Sequence, residues 1–207
     1  MQIIPVPVCK DIDEFAYFYA ADDNSAALID PGAEPEKLKS VAKEYDLKLK
    51  AILITHGHAD HIGAAEELAE FYNAPIYIGV GGKSYTSDPK KNLSYFMSGH
   101  IQFDNVIEKD DGDIIEIGEN CKLKIIATPG HTLDGVIYYD KSNGIAFVGD
   151  TIFEGSYGRT DFYGGNEETL FKSIREKIFA LPDNTKLFSG HSRPTTVEVE
   201  KTRNFYN

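Results

Sequence analysis

The chain has 207 residues, of which 42% are hydrophobic and 26% are charged. This length and composition suit a single folded domain spanning residues 1–207 and exclude a disordered or fibrous chain. The formal net charge is −12, and no Lys/Arg cluster interrupts it. Such a surface repels phosphate, so nucleic acid is excluded as an expected partner.

The N-terminus and the two cysteines bear on the cellular location of the protein. Residues 1–8 lack a basic segment and contain two prolines, which is not the pattern of a secretory signal. No apolar stretch approaches the ~20 residues that span a bilayer. Cys9 and Cys121 lie far apart without a CxxC pattern, which favours two reduced thiols, buried or half-buried, over a disulfide. We therefore expect no membrane association and a cytoplasmic location.

The first half of the chain predicts strands alternating with helices. Short runs of β-branched, aromatic and other apolar residues predict strands over 3–8, 15–19, 26–29, 51–55 and 76–80. Apolar residues at helical spacing predict one helix beginning at Pro35 and another over 62–72. Residues 81–105 follow neither period, and we interpret them as an insertion or lid.

The second half repeats this order of elements. Strands are predicted over 114–117, 123–128, 136–139, 145–148 and 186–188. An amphipathic helix is predicted over 167–181 with Asn166 as its N-cap, and a terminal helix is predicted to open at Pro194. The repeated order indicates an α/β (α+β) protein in which helices cover two packed sheets, giving a four-layer sandwich.

Five of the six histidines follow predicted strands. They are His56, His58, His61, His131 and His191. Alternate residues of an extended segment point the same way, so His56 and His58 can address one point. The following turn into a helix lets Asp60 and His61 address a second point. The pattern His-x-His-x-Asp-His therefore predicts two neighbouring metal ions.

Asp150 ends another strand, in the sequence Val-Gly-Asp-Thr. The two oxygens of a carboxylate can span two ions, so we predict that Asp150 bridges them. Imidazole and carboxylate ligands suit two divalent metal ions. Zinc is the first expectation, and iron or manganese would also fit these ligands. His100 is interpreted as a surface residue, and Asp30 and Asp161 as turn or capping residues.

Four motifs resemble, in order, the metal-binding motifs of the metallo-β-lactamase superfamily. They are Thr55-His56-Gly57-His58-Ala59-Asp60-His61, Thr128-Pro129-Gly130-His131-Thr132, Gly149-Asp150-Thr151 and Ser189-Gly190-His191. The segments Gly158-Arg159-Thr160-Asp161 and Pro194-Thr195-Thr196 narrow the resemblance to the glyoxalase II-like branch, the hydroxyacylglutathione hydrolases. The chain looks like the short type of this branch, because it stops at Asn207 without the C-terminal helical region that grips glutathione in the longer type.

The resemblance implies an αββα fold and a division of the ligands. His56, His58 and His131 would hold one metal, Asp60, His61 and His191 the other, and Asp150 both. It also implies hydrolysis of a small-molecule thioester, such as S-lactoylglutathione or another acyl-glutathione. Two dications would supply hydroxide at neutral pH and polarise the carbonyl, with Asp60 orienting the attack.

Tyr157 and Arg159 follow Asp150 in the chain and are candidates for contact with the substrate. A structural ion pair between Arg159 and Asp161 is the competing interpretation of that arginine. Three other functions stay open. They are a persulfide dioxygenase with one iron held by two histidines and an aspartate, a metallo-hydrolase of a different ester or lactone, and a weakly active metal-binding or regulatory protein. The setting of His191 looks more like the hydrolases, and the complete ligand set argues against the last alternative.

Overall fold

Two six-stranded sheets pack face to face in the computed structural model, which describes residues 1–9, 14–96 and 99–203. The first sheet contains, in order, β1 (Gln2–Cys9), β2 (Glu14–Ala20), β3 (Ser25–Ile29), β4 (Lys48–Leu53), β5 (Ile76–Gly79) and β6 (Ile107–Lys109). The second contains, in order, β7 (Ile114–Gly118), β8 (Cys121–Ala127), β9 (Val136–Asp140), β10 (Ile145–Gly149), β13 (Lys186–Ser189) and β14 (Thr195–Thr196). A separate small hairpin is formed by β11 (Ile152–Phe153) and β12 (Ser156–Tyr157).

Six α-helices lie in the described ranges. They are α1 (Pro35–Glu44), α2 (Ala59–Ile62), α3 (Ala65–Tyr72), α4 (Lys83–Thr86), α5 (Glu167–Ser173) and α6 (Val197–Thr202). A π-helical turn over Ile174–Ile178 continues α5, and a 3-10 turn spans Ser94–Phe96. None of the helices in the described ranges is long and apolar enough to cross a membrane.

Strand β3 shows why the sheets bury both faces. All five of its residues are buried, and successive side chains of a strand point to opposite faces. Leu28 joins the core beneath the helices, whereas Ala27 and Ile29 join the core between the sheets. A strand covered on both sides therefore reads as a continuous apolar run rather than an alternating one.

Three apolar cores define the four layers. One lies between the first sheet and helices α1 and α3, and includes Leu38 and Leu68. The second lies between the two sheets, where Leu53 and Tyr138 belong to the same cluster. The third lies between the second sheet and α5 with its π-helical continuation, and includes Leu170. The predicted αββα sandwich is therefore confirmed.

Three predicted helices differ in the structure. The helix expected over 62–72 begins only at Ala65, and Ile62 instead ends the short helix α2, because the amide of Ala64 bonds the carbonyl of Pro31 at 2.8 Å and does not continue that helix. The helix expected over 167–181 becomes π-helical at Ile174. The terminal helix begins at Val197 rather than Pro194, because β14 first pairs with β13 and Thr196 then caps α6.

The segment 81–105 is more ordered than its sequence suggests. It contains α4 and the 3-10 turn, and Tyr85, Asn92 and Ser94 are buried. Its residues 97–98 lie outside the described ranges. The short elements β6, β11 and β12 were not predicted. Cys121 is buried with a free thiol, and the side chain of Cys9 lies outside what the structure describes.

Candidate metal centre

The predicted ligands meet at one edge of the two sheets. β10 and β13 are parallel neighbours, so Asp150 and His191, which follow them, emerge at the same edge. The loop after β4 carries His56 and reaches the second sheet through a 2.9 Å hydrogen bond from the amide of Val136 to the carbonyl of Thr55. His131 lies in the loop between β8 and β9. Both sheets therefore supply ligands to one place.

Three imidazoles form the first ligand set. Nε2 of His56 lies 3.1 Å from Nδ1 of His58, and Nε2 of His131 lies 3.2 Å and 3.0 Å from these two atoms. All three residues are buried. Nitrogen ligands at about 2.0–2.1 Å from a tetrahedral ion lie about 3.3 Å apart. The three nitrogens thus converge as ligands of one metal would.

The second set combines Asp60, His61 and His191, whose ligand atoms lie within 4.8 Å of one another. Nε2 of His191 is 3.4 Å from Oδ2 of Asp60, and Nε2 of His61 is 3.9 Å from the same oxygen. Nε2 of His61 is buried and has no hydrogen-bond partner among the described residues. A buried nitrogen that has no hydrogen-bond partner and faces a carboxylate is suited to bind a cation.

Asp150 stands between the two sets. Its Oδ2 lies 3.5 Å from Nε2 of His131 and 3.5 Å from Nε2 of His191, while Oδ1 lies 3.4 Å from Nε2 of His61. Burial by itself would raise the pKa of Asp150, but the facing imidazoles, His61 foremost, hold the pKa below its usual range. The carboxylate is therefore ionised and within reach of both sets, as a bridging ligand must be.

Each of three ligands has a partner that fixes its tautomer. Nδ1 of His131 donates to the carbonyl of Arg159 at 2.6 Å. Nδ1 of His61 lies 3.0 Å from Oδ2 of Asp30. Nδ1 of His56 lies 3.2 Å from Oγ1 of Thr55, which donates its own proton to Asp30 and so accepts from the ring. In every case the other ring nitrogen, Nε2, is left to face the centre.

Burial also keeps His56 and His58 in their neutral, ligating form. Desolvation and the neighbouring rings lower the pKa of His58 to about 3, and the same causes lower the pKa of His56. For His61, desolvation acts downward, but Asp150, Asp60 and Asp30 together raise the pKa. The second set therefore lies in the more negative surroundings.

Two buried carboxylates lie beside this centre, of which sequence reasoning missed Glu14 and gave Asp30 only a turn or capping role. Asp30 also accepts from the amide of Thr55 at 2.8 Å, so it is a structural residue as predicted, but one in direct contact with a candidate ligand. Oε1 of Glu14 lies 3.5 Å from Nδ1 of His61, and Glu14 is fully buried. The position of Asp30 could have been inferred from a parallel pairing of β3 with β4, because Asp30 and His56 then emerge at the same edge of the sheet.

Gly190 allows the second sheet to approach the ligands. A Cβ atom there would lie 2.6 Å from Cε1 of His61 and 3.0 Å from Oδ1 of Asp150. Real Cβ atoms do not approach other atoms closer than about 3 Å without a shift of one of them. The glycine before His191 is therefore a packing requirement of the centre.

An open cleft of about 360 Å³ lies over the ligands. Phe153, Tyr157, Arg159 and Phe162 form its wall beside the candidate ligands. The Arg159 guanidinium makes two 2.7 Å bonds to Asp161 and lies 4.0 Å from the centre of the Phe162 ring. The predicted ion pair is confirmed, and the same side chain also lines the cleft. His100, as predicted, is exposed; its ring stacks on Tyr95.

The chain belongs to the metallo-beta-lactamase superfamily, whose sequence pattern matches residues 11–191. It is 40% identical over 194 residues to the probable metallo-hydrolase YqgX of Bacillus subtilis, covering 91% of this chain and 90% of that protein. It is 36% identical to the hydroxyacylglutathione hydrolase GloC of Haemophilus influenzae, covering 88% of this chain and 87% of the relative.

Solved structures agree with this assignment. The BLEG-1 B3 metallo-beta-lactamase superposes with a TM-score of 0.90 at 32% identity, covering 99% of each chain. TTHA1623 in a di-iron-bound form superposes with a TM-score of 0.87 at 30% identity, covering 99% of this chain and 100% of the other. The superfamily and the His/Asp cluster together define a metal-dependent hydrolase scaffold that can bind metal ions.

Proposed function

We propose that the protein is a dinuclear metal-dependent hydrolase of small-molecule thioesters, such as S-lactoylglutathione or another acyl-glutathione. The observation that carries the proposal is the pair of ligand sets that share Asp150 beneath one open cleft. His56, His58 and His131 would hold one ion, Asp60, His61 and His191 the other, and Asp150 both. Zinc fits the nitrogen spacing, and the di-iron form of TTHA1623 supports iron as an alternative.

Such ions, when bound, supply an activated water and polarise a carbonyl. The residues of the chain provide the rest. Burial acts to raise the pKa of Asp60, but His61 and His191 bring it below its usual value, so the carboxylate is ionised. Because Asp60 also lines the cleft, it can accept a hydrogen bond from an attacking water and orient it toward the substrate.

The cleft wall suits a thioester with an apolar part. Phe153 and Phe162 give the wall an aromatic surface, and the Arg159 side chain gives it a positive charge. An exposed ion pair such as Arg159–Asp161 is weak, so the guanidinium can exchange or share its partner with a substrate carboxylate. A thiolate leaves with little need for protonation, so hydrolysis of a thioester requires no dedicated acid. The relationship to GloC supports an acyl-glutathione as the substrate.

A second candidate is hydrolysis of a strained cyclic amide or of a different ester or lactone. The cyclic amide is favoured by the likeness to the BLEG-1 B3 metallo-beta-lactamase. The two candidates share the metal centre and differ in the leaving group, because an amine must be protonated before it departs whereas a thiolate need not be. Substrate profiling therefore separates them.

The test uses the full chain loaded with zinc and, separately, with iron. S-lactoylglutathione, an uncharged acyl thioester, the matching oxygen ester, a lactone and a β-lactam are compared at equal concentration. We expect the thioesters to be cleaved fastest, and chelation to abolish cleavage until metal is restored. Cleavage of the lactone or β-lactam with no turnover of either thioester would transfer the assignment to the second candidate.

A further inference from the structure

The four buried histidines of the centre are not held in the same way. His56, His61 and His131 each have a partner at Nδ1, as described above. His58 is turned around, since its Nδ1 faces the other imidazoles. Its outward nitrogen, Nε2, is buried and lacks a hydrogen-bond partner among the described residues. Something other than a hydrogen bond must fix this ring.

Two aromatic rings meet His58 instead. The Tyr85 ring lies 6.3 Å from the His58 ring at an interplanar angle of 72°, and the Phe162 ring lies 6.1 Å away at 87°. Both are edge-to-face arrangements, which are favourable for aromatic pairs. Tyr85 is fully buried and Phe162 is half-buried, so the inner of the two contacts is the one with Tyr85.

The hydroxyl of Tyr85 connects two other segments of the site. It accepts a 3.1 Å hydrogen bond from the amide of Leu133, two residues after His131. It donates a 3.1 Å hydrogen bond to the carbonyl of Tyr163, which is adjacent to Phe162. One side chain from the segment 81–105 thus touches the His58 ring, the His131 loop and the cleft wall.

Gly164 permits this arrangement. Its φ of +79° lies in the left-handed region, and a Cβ atom there would lie 2.5 Å from the hydroxyl oxygen of Tyr85. An L-residue at this position would have to displace the tyrosine hydroxyl or the wall. The rings of Tyr85 and Tyr163 are also in contact, with their centroids 5.7 Å apart.

We propose that Tyr85 is a positioning residue of the metal centre: its ring fixes the orientation of His58, and its hydroxyl fixes the cleft wall over 159–165 relative to the His131 loop. The inference deepens the proposed function and rests on it only where His58 acts as a ligand. It gives Tyr85, in the segment 81–105, a defined role beside His58 and the cleft wall.

Two substitutions separate the two parts of this role. Tyr85→Phe keeps the ring against His58 but removes both hydrogen bonds of the hydroxyl. Tyr85→Leu also removes the ring. Tyr19→Phe is the matched control, because Tyr19 is equally buried and its hydroxyl donates a 2.8 Å bond to Asp140. Asp140 is the last residue of β9, whereas the metal centre lies at the other end of this strand, near Val136.

The experiment measures cobalt(II) affinity by chelator competition and amide hydrogen exchange of the peptide covering 159–165, neither of which requires a substrate. Tyr85→Phe should bind cobalt like the wild type but exchange at least severalfold faster over 159–165. Tyr85→Leu should in addition bind one cobalt ion about tenfold or more weakly, as the loss of a ligand's supporting contact does. Tyr19→Phe should change neither measurement. If Tyr85→Leu does not fold, Tyr85→Met, which also lacks the ring but fills more of its volume, takes its place in the metal measurement.

Exchange over 159–165 in Tyr85→Phe that matches Tyr19→Phe would overturn the inference. Wild-type cobalt affinity in the ring-deleted variant would overturn it equally. Failure of the wild type itself to bind cobalt would instead refute the proposed function, and the exchange measurement would then decide the inference alone.

Discussion

Nδ1 of His61 lies 3.0 Å from Oδ2 of Asp30, an aspartate that ends β3 and reaches across to the loop after β4. The aspartate is buried and also binds the amide and hydroxyl of Thr55. It therefore orients the ring of His61 so that Nε2 faces Asp60 and Asp150. Through its hydrogen bond with Thr55 it also orients the ring of His56. A residue outside both ligand sets thus determines the orientation of one ligand in each.

Asp30→Asn tests this relationship. The substitution keeps the size of the side chain and removes its charge, so the ring of His61 becomes less basic and less firmly oriented. We expect the affinity for one of two zinc ions to fall by about 10–100-fold, measured by competition with a chromogenic chelator. Asp22→Asn, at an exposed aspartate paired with the N-terminus, is the control. Two zinc ions bound with wild-type affinity by Asp30→Asn would contradict the orienting role.

Asp150→Ala tests the bridge. Because Oδ2 of Asp150 faces a histidine of each ligand set and Oδ1 faces a second histidine of one set, removal of the side chain should release at least one metal ion per chain and lower turnover by orders of magnitude. Metal analysis after gel filtration, together with the thioester assay, checks both effects. A variant that kept two ions and full activity would show that Asp150 is not a bridging ligand.

Asp134 gives a prediction for pH. The residue is 1% exposed, and burial raises the pKa of its carboxyl to about 7. The native state therefore holds a proton that the unfolded state releases near pH 4, and this contribution to stability is lost as pH rises toward 7. Asp134→Asn cannot ionise, so its free energy of unfolding relative to wild type should increase by on the order of 2 kcal/mol between pH 4 and pH 8. Urea unfolding at the two pH values measures the change, and a pH-independent difference would show that Asp134 is ionised in the fold throughout.

Arg159→Ala separates the two interpretations of that residue. The guanidinium is exposed and its ion pair with Asp161 lies at the surface, so its removal should leave the midpoint of thermal unfolding nearly unchanged. For a thioester that carries a carboxylate we expect KM to rise about tenfold with kcat little altered, because binding rather than chemistry is lost. Asp161→Asn, which frees the guanidinium, should not raise KM. A large loss of stability with unchanged KM would assign Arg159 a purely structural role.

Local patterns were enough to predict the fold and to gather the candidate ligands. Continuous apolar runs such as that of β3 indicated strands buried on both faces, and polar residues at the strand ends indicated the edge where the site would form. The histidine motif was informative because its spacing is itself a local property. These features depend only on residues that lie close together along the chain, so they can be recognised without the structure.

The supporting residues could not be predicted in the same way. Tyr85 and His58 are 27 positions apart, and Tyr85 acts through a backbone carbonyl at Tyr163. Glu14 stands beside a segment without a recognisable period, and its approach to His61 depends on how the first sheet is assembled. The break between α2 and α3 arises from a hydrogen bond to Pro31 across the fold. Each of these relationships exists only once distant segments are packed together.

The most direct test of the central claim is metal analysis of the purified protein, paired in one series with thioester cleavage and persulfide-dependent oxygen uptake. We predict two metal ions per chain, metal-dependent thioester cleavage and no oxygen uptake. One iron per chain, with oxygen uptake in the presence of persulfide and no cleavage of any thioester, would contradict the assignment as a dinuclear hydrolase.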